Sequence, residues 1–288
     1  MKITTDSGTN VYLSAEQCRE LGIEIVPLSV TLDGHTYREG LDVSSDDFYS
    51  MLDASENMPT TSQPSAGEFA SLYREIAKTD PDILSIHMSS GLSGTLNSAI
   101  AGAAMVPEAR VTIVDTKTLG APAGWQVEAA AKAVRAGWPL QNVLAYMERI
   151  AAATDVVYTL KDLKYLIHGG RINHLKGLVA SLLNIKPLIG VEKAGGTYVQ
   201  YGQARSFERA IESIGEYISK KFGQDTNLRM QVVHAENVDG ARRLVEELTK
   251  RFKCAWLPME KLSLVLGAHV GRSMIGVAFA PEDVFELK

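Results

Sequence analysis

Residues 83–98, ILSIHMSSGLSGTLNS, contain an apolar run, a turn rich in serine and glycine, and the start of a helical pattern. A strand that feeds a helix through so short a turn is typical of a parallel sheet covered by helices. The turn also suits an anion, because glycines let the backbone approach a ligand and the first N–H groups of a helix lack internal partners. A tight connection with Ser93 or Thr95 as the helix cap would explain the same residues. The sequence is compatible with both an anion site and a capped tight connection.

A second hydroxyl-rich segment, residues 60–65, precedes another predicted helix start. Ser65 and Glu68 have the spacing of a capping box, and apolar residues follow from Phe69 to Ile76 at helical intervals. We therefore expect two hydroxyl-rich loops at two helix starts, placed so that they can converge on one anion.

Composition narrows the class of protein. The chain has 288 residues, 45% hydrophobic and 22% charged, which suits a globular protein of two domains. Its net charge of −5 argues against nucleic-acid binding. The two cysteines, Cys18 and Cys254, lie outside any metal-ligand spacing, and we predict no metal and no cofactor. Without a signal-like apolar segment at the start, the expected location is the cytoplasm.

The order of predicted elements gives an α/β fold. Strands and helices alternate in the first half, which predicts a mainly parallel sheet flanked by helices, with ligands beyond the carboxyl ends of the strands. Residues 188–201 read as a hairpin, which predicts a mixed α/β second domain. We place the domains at 1–154 and 155–288, with a ligand cleft between them. Ser14 and Gln17 predict a capped helix ending at Gly22, before an apolar stretch over 23–32.

Sequence motifs test three enzyme classes: serine hydrolases, nucleotide-binding enzymes and metal-dependent enzymes. Residues 91–95 approach the G-x-S-x-G turn of serine hydrolases, but Thr95 stands where the last glycine is needed. An esterase that uses Ser93 with His87 or His269 is therefore the weaker alternative. Phosphate-binding motifs of nucleotide enzymes are missing from the sequence, which argues against nucleotide binding. The six histidines are scattered, which argues against a catalytic metal.

The segment 161–176 is basic in an acidic chain, with four lysines or arginines against one aspartate. The segment is compatible with a solvated helix face. Alternatively, Arg171, on a glycine-rich flexible turn, binds an anion or a partner's acidic surface. Transient contact with an anionic membrane also stays open. Arg205 and His269 are further donor candidates.

Five motifs in series resemble the DegV family over essentially the whole chain: residues 5–7, 61–65, 89–95, 169–172 and 267–269. This resemblance implies a two-domain bacterial protein that binds a long-chain fatty acid between its domains and is not catalytic alone. It also implies a separate ATP-dependent fatty acid kinase, which phosphorylates the bound carboxylate for phospholipid synthesis. A lipid carrier without a kinase partner is the alternative.

The resemblance also implies roles for particular residues. Those expected at the carboxylate are Thr61, Ser62, Ser93, the backbone N–H of Gly94, and His269. Those expected to hold the acyl-phosphate or to receive the kinase are Arg171 and Arg205, together with His269. The chain departs from the family after residues 267–269, where Val270-Gly271-Arg272-Ser273 replaces a run like Thr-Gly-Pro-Gly. We expect residues 267–269 to lie in a loop, which the replacement makes looser, and an additional charge, that of Arg272, beside the head group.

The tail would supply most of the affinity. Burial of a sixteen-carbon chain is worth roughly 11 kcal/mol before ordering costs, whereas each hydrogen bond to the charged head adds only about 1.5 to 3 kcal/mol. Residues 99–104 and 179–185 are candidates for the tunnel wall, although core packing explains them equally well.

Overall fold

The computed structural model describes residues 1–175 and 185–287. Most of the candidate tunnel segment 179–185 therefore lies outside the described residues. The helices are α1 Ala15–Leu21, α2 Ser45–Ala54, α3 Ala66–Ala77, α4 Thr95–Ala104, α5 Ala121–Arg135, α6 Leu140–Ala153, α7 Lys164–His168, α8 Phe207–Phe222, α9 Val238–Thr249 and α10 Leu264–Val270. The strands are β1 Lys2–Asp6, β2 Ile23–Val26, β3 Ser29–Leu32, β4 His35–Arg38, β5 Thr60–Ser62, β6 Asp82–His87, β7 Arg110–Asp115, β8 Asp155–Thr159, β9 Lys186–Val191, β10 Tyr198–Ala204, β11 Asn227–His234, β12 Lys253–Trp256, β13 Glu260–Lys261 and β14 Ile275–Pro281.

The first large sheet has the order β2-β1-β6-β7, and its neighbouring strands are all parallel. Side chains alternate along β6: Ile83 packs with α3 and α4, whereas Leu84 and Ile86 pack with α5 and α6. The predicted α/β class, with a mainly parallel sheet flanked by helices, is confirmed.

The second large sheet has the order β10-β9-β8-β14-β11-β12, with β13 beside β11. It is mixed, because β11 pairs parallel with β12 and antiparallel with β14. Strands β9 and β10 form the predicted antiparallel hairpin. Helices α8 and α9 cover one face with a separate apolar cluster.

A small antiparallel sheet, with the order β4-β3-β5, corrects one expectation. The apolar stretch 23–32 divides at Pro27 into β2 of the parallel sheet and β3 of the small sheet. Proline cannot donate to a strand ladder, which suits a change of sheet at that point. Thr60 to Ser62, expected in a loop, form β5, because Thr61 pairs with Val30 of β3.

Local capping follows the sequence closely. Ser14 and Ser65 both close capping boxes, with Gln17 and Glu68 as the reciprocal partners. Gly22 ends α1 in the left-handed conformation, with φ of 66°.

The largest apolar cluster crosses between the two parts of the chain. It joins Leu28 of the N-terminal part and Phe48 of α2 to Leu160, Leu262 and Leu264 of the C-terminal part. Among the helices of the described ranges, none combines the length and the apolar character needed to span a bilayer.

Candidate functional site

A cavity of about 270 Å³ lies where β5, the turn after β6 and α10 meet; we call it the main cavity. Its wall is part polar and part apolar, as a ligand with a polar head and an alkyl tail would need. The polar residues of the wall are Thr61, Ser62, Gln63, Ser93, Arg171 and His269. The remaining residues are Leu28, Met88, Leu92, Leu119, Tyr198, Val265 and Leu266.

Strand β5 and helix α10 bring together two of the expected site residues. The hydroxyl oxygen of Thr61 lies 2.8 Å from Nε2 of His269, in a hydrogen bond that is partly buried. Thr61 is held in place by its pairing with Val30. Residues 267–269, expected in a loop, lie inside α10, which Ser263 caps by accepting a hydrogen bond from the N–H of Leu266.

The imidazole of His269 is 8% exposed and closely packed. A Cβ added at Gly169 would overlap its Nδ1 atom, so the absence of a side chain at Gly169 makes room for the ring. That nitrogen is buried and has no hydrogen-bond partner within the described residues. Burial lowers the pKa of His269 from 6.5 to about 4, and Arg171 and His168 act in the same direction. His269 is therefore neutral at pH 7.

The serine and glycine turn after β6 supplies the opposite part of the wall. The Oγ atom of Ser93 lies 2.8 Å from Oγ1 of Thr95 and accepts a hydrogen bond from the N–H of Thr95. Gly94 is the N-cap of α4 and packs so closely on Gln63 that a Cβ there would overlap the amide of Gln63. The two hydroxyl-rich segments therefore meet, as the sequence analysis predicted.

The two arginines expected at the phosphate or the kinase, Arg171 and Arg205, occupy different positions. Arg171 is half-buried in the cavity wall, at the start of a short 3₁₀ turn, and donates to the carbonyl of Gly169. Gly170 precedes it with φ of 73°, a conformation that favours glycine. Arg205 is exposed between β10 and α8 and does not contribute to the cavity wall.

The expectation that Arg272 adds a charge beside the head group is wrong. Its guanidinium pairs with Asp53 of α2 and lies 3.9 Å from Glu236. Two opposite charges away from the cavity therefore hold this side chain, and it is absent from the wall.

Further polar contacts fix the start of α10 to the N-terminal part of the chain. Glu39 accepts a hydrogen bond from the N–H of Leu264, the first residue of the helix. Lys261, just before the helix, pairs with Asp46 of α2 and with Glu236. Burial raises the pKa of Glu39 to about 7, against hydrogen bonds that act to lower it.

The β9–β10 turn closes over the turn that carries Ser93. The hydroxyl of Ser89 donates to the carbonyl of Gly196 at 2.8 Å. A Cβ added at Gly91 would overlap the carbonyl oxygen of Gly195, so the two turns touch backbone to backbone. This contact ties the mixed sheet to the site.

A buried polar chain lies beneath the same turn. Nδ1 of His87 is 2.9 Å from Asp6, and Nε2 is 2.7 Å from the hydroxyl of Ser85. The order Asp-His-Ser resembles a catalytic triad, but all three side chains are fully buried. Asp6 also accepts a hydrogen bond from the N–H of Met88, so the chain fixes the ends of β1 and β6. His87 is thus engaged away from Ser93, whose hydroxyl bonds to Thr95.

Of the candidate tunnel residues 99–104, Ala99, Gly102 and Ala103 pack between α3 and α4, and the other three are exposed. Ala99 is fully buried in the cluster of those helices, and a Cβ added at Gly102 would lie 2.6 Å from Cβ of Phe69. An apolar space of about 40 Å³, which we call the inner chamber, shares Leu119, Tyr198 and Leu266 with the main cavity.

Gln63, Tyr198 and Leu28 also line the main cavity, although no sequence pattern predicted them as wall residues. Of the three, only Gln63 lies in a segment predicted to form the site, the hydroxyl-rich residues 60–65. Over residues 1–175 and 185–287, the structure contains no cluster of three histidine, cysteine or acidic residues arranged for a metal ion.

Comparison with known proteins gives consistent matches along the chain. A family model described as an uncharacterised protein of the DegV family matches residues 1–282. A DegV domain-containing protein of Halalkalibacterium halodurans is 33% identical, over 96% of this chain and 97% of that protein.

Two solved structures agree with these matches. One, described as the fatty acid binding of a DegV family protein from Thermus thermophilus, has a TM-score of 0.88 and 30% identity and covers 97% of this chain and 99% of that one. Another, described as DegV, a fatty acid binding protein from Bacillus subtilis, has a TM-score of 0.85 and 28% identity and covers 98% and 99%.

Proposed function

This chain belongs to the DegV family, and from that premise we propose that it binds a long-chain fatty acid in the main cavity and presents the carboxylate to a separate ATP-dependent fatty acid kinase. One observation carries the first part: Thr61, Ser93 and His269 share the wall of a cavity that adjoins an apolar chamber. Solved relatives from Thermus thermophilus and Bacillus subtilis are described as fatty acid binding, which supports the same ligand class.

Thr61 acts as a donor to the carboxylate in this proposal. Neutral His269 has one ring N–H, and its Nδ1 has no partner among the described residues. An unpaired buried donor is rarer than an acceptor that is not fully used, so the proton belongs on Nε2, which donates to Thr61. The hydroxyl hydrogen of Thr61 is then free to point at a carboxylate oxygen. Ser62, Ser93 and the N–H of Gly94 complete the head-group site.

The chemistry of the wall suits a carboxylate that must react. Hydroxyl groups and a helix N-terminus stabilise the anion, whereas a tight ion pair with lysine would reduce its nucleophilicity. Arg171 carries the one guanidinium among the described wall residues, and it would hold the phosphate of the acyl-phosphate. Exposed Arg205 would face the kinase.

The two units of the proposal are residues 1–154 and 155–288, with the fatty acid between them. The boundary falls between α6 and β8, so each of the two large sheets stays within one unit. The protein would act in the cytoplasm, supply phospholipid synthesis, and have no catalytic activity of its own. Transient membrane contact through the basic segment 161–176 would allow exchange of the acid.

Native mass spectrometry of protein purified from its own cells tests the ligand. We expect a co-purified fatty acid, and its loss or strong reduction in Ser93→Ala. Ser71→Ala is the matched control, because Ser71 is exposed on α3 and, among the described residues, its hydroxyl bonds only to the carbonyl of Gly67. Full retention of fatty acid by the Ser93 variant would contradict the head-group assignment.

Addition of the kinase and ATP tests the second part. Wild-type protein should yield acyl-phosphate, and Ser93→Ala should yield none. If fatty acid is bound but never phosphorylated, the protein is a lipid carrier without a kinase partner. Hydrolysis of an ester by the protein alone would instead indicate the esterase alternative.

A further inference from the structure

Helix α4, whose first turn lies at the main cavity, has no charged side chain. Residues 83–107, which include the whole of α4, contain no aspartate, glutamate, lysine or arginine. Every other helix of ten or more residues in the described ranges carries charged side chains. A helix on the surface of a globular protein ordinarily turns a charged or polar face to water, so α4 is an exception.

The outward side of α4 is apolar instead. Ile100 is 49% exposed and Met105 53%, and Ala101 and Ala104 are also exposed. Because residues one turn apart lie next to each other on a helix, these four side chains form one continuous patch, which we call the α4 face. Single exposed apolar residues are common on proteins, whereas continuous apolar patches are characteristic of surfaces that bind a partner.

The α4 face extends to the mouth of the main cavity. Among the described wall residues, Ser62 and Gln63 are the exposed ones, so the cavity opens beside them. Nε2 of Gln63 donates to Oγ of Ser98 on α4 at 3.3 Å. Ala101 and Met105 follow Ser98 at intervals of three and four residues, on the same side of the helix. The patch therefore begins about one helical turn from the mouth.

The charged residues at the far end of α4 are paired with each other. Arg74, which donates to the carbonyl of Met105, lies 3.5 Å from Glu108, and Arg110 donates two hydrogen bonds to Asp82. An anionic membrane attracts surfaces with an excess of positive charge, and these pairs leave none. A protein partner fits the patch better, because protein interfaces combine an apolar centre with a polar rim.

We propose that the kinase packs an apolar surface against the α4 face while it phosphorylates the carboxylate. This inference rests on the proposed function and adds to it the surface that the partner covers. The kinase transfers the γ-phosphoryl group of ATP to a carboxylate oxygen and releases ADP, so it must close over the mouth at Gln63. Since α4 borders that mouth, a protein that closes over it also extends over the α4 face. A second copy of this chain seated on the same face would block the kinase.

The kinetics of acyl-phosphate formation test the inference. Wild type, Ala101→Lys and Ala101→Glu, each loaded with fatty acid, would be titrated against a fixed amount of kinase with ATP. We expect each variant to need about tenfold more loaded protein for half the maximal rate, because either charge loses its hydration in an apolar contact. The maximal rate should be unchanged, since Ala101 is exposed and lies outside the cavity wall.

Ala145→Lys is the matched control. Ala145 is also an exposed alanine on a helix, but its helix, α6, covers the opposite face of the same parallel sheet. The kinetics of this variant should therefore equal those of the wild type. Native mass spectrometry should find the same amount of bound fatty acid in all four proteins, which shows that the variants fold. Ile100→Lys replaces any Ala101 variant that does not fold.

Three results would overturn the inference. In the first, both Ala101 variants reach half the maximal rate at the wild-type concentration. In the second, lysine and glutamate act in opposite directions, which would indicate an electrostatic contact. In the third, another partner covers the face: the wild type sediments as a dimer and Ala101→Lys as a monomer, or the wild type binds anionic vesicles and Ala101→Glu does not.

Failure of the proposed function has a different signature. A wild type that holds fatty acid but yields no acyl-phosphate with the kinase would refute the kinase role, and this inference with it. A wild type that holds no fatty acid would refute the ligand itself. Normal phosphorylation by every variant would refute only the docking on α4.

Discussion

Nε2 of His269 lies 2.8 Å from the hydroxyl oxygen of Thr61, which is 208 positions earlier in the chain. This hydrogen bond joins the small sheet to α10 across the main cavity. It couples the geometry of the proposed head-group site to the packing of the two parts of the protein. A change at either residue should therefore alter both ligand binding and stability.

Thr61→Val should weaken fatty-acid binding about tenfold and lower the free energy of unfolding by about 1 to 3 kcal/mol, because it leaves the buried His269 nitrogen unpaired. Isothermal titration and urea unfolding measure the two effects. Thr60→Val is the control, since Thr60 is exposed on the same strand, and it should change stability by no more than about 0.5 kcal/mol. Equal affinities in the two variants would contradict the role of Thr61.

Gly169→Ala should reduce fatty-acid binding although the residue is not part of the cavity wall. The new Cβ would overlap Nδ1 of His269 and force the ring to move. We expect at least a fivefold loss of affinity by titration, about 1 kcal/mol. Gly67→Ala is the control, because a Cβ there meets nothing closer than 3.8 Å, at Ser65. Unchanged affinity in the Gly169 variant would show that the ring position is not critical.

The lowered pKa of His269 predicts a loss of stability in acid. The unfolded chain takes up this proton near pH 6.5, whereas the folded protein does so only near 4. The stabilisation is therefore complete above pH 6.5 and is lost as the pH falls to 4, by about 3 kcal/mol in total. Urea unfolding of wild type and His269→Gln over pH 4 to 8 measures this difference. A constant difference between the two proteins would contradict the assignment.

Glu39 should have the opposite pH dependence. Its folded pKa of about 7 exceeds the ordinary 4.5, so its contribution is most favourable below pH 4.5 and declines as the pH rises through 7. Glu39→Gln keeps an acceptor for the N–H of Leu264 but cannot ionise. Relative to wild type, the variant should therefore gain up to about 3 kcal/mol between pH 4 and pH 8. Thermal unfolding at the two pH values checks the sign, and a gain at pH 4 instead would refute it.

Features set by neighbouring residues could be predicted from the sequence. The capping boxes at Ser14 and Ser65, the helix end at Gly22 and the parallel sheet around β6 all depend on short-range spacing. The meeting of the two hydroxyl-rich segments was also predicted, because each precedes a helix start. Thr61, however, reaches the site on β5 of the small antiparallel sheet.

Features that depend on residues distant in the sequence could not be predicted. Helix α10 contains Gly267, which suggests a loop locally, but the Tyr49 hydroxyl occupies the space that a Cβ would need. Strand β5 is three residues long and exists through its pairing with β3. Arg272 is oriented by Asp53, which is far from it in the sequence. In each case the deciding partner lies outside any local pattern.

The apolar cluster that joins Leu28 and Phe48 to Leu160 and Leu262 has a consequence for how the protein melts. Because those side chains bury one another, cleavage after residue 154 would expose this shared cluster in both fragments. Calorimetry should therefore record a single endotherm, and limited proteolysis should destroy both pieces together instead of releasing a durable domain.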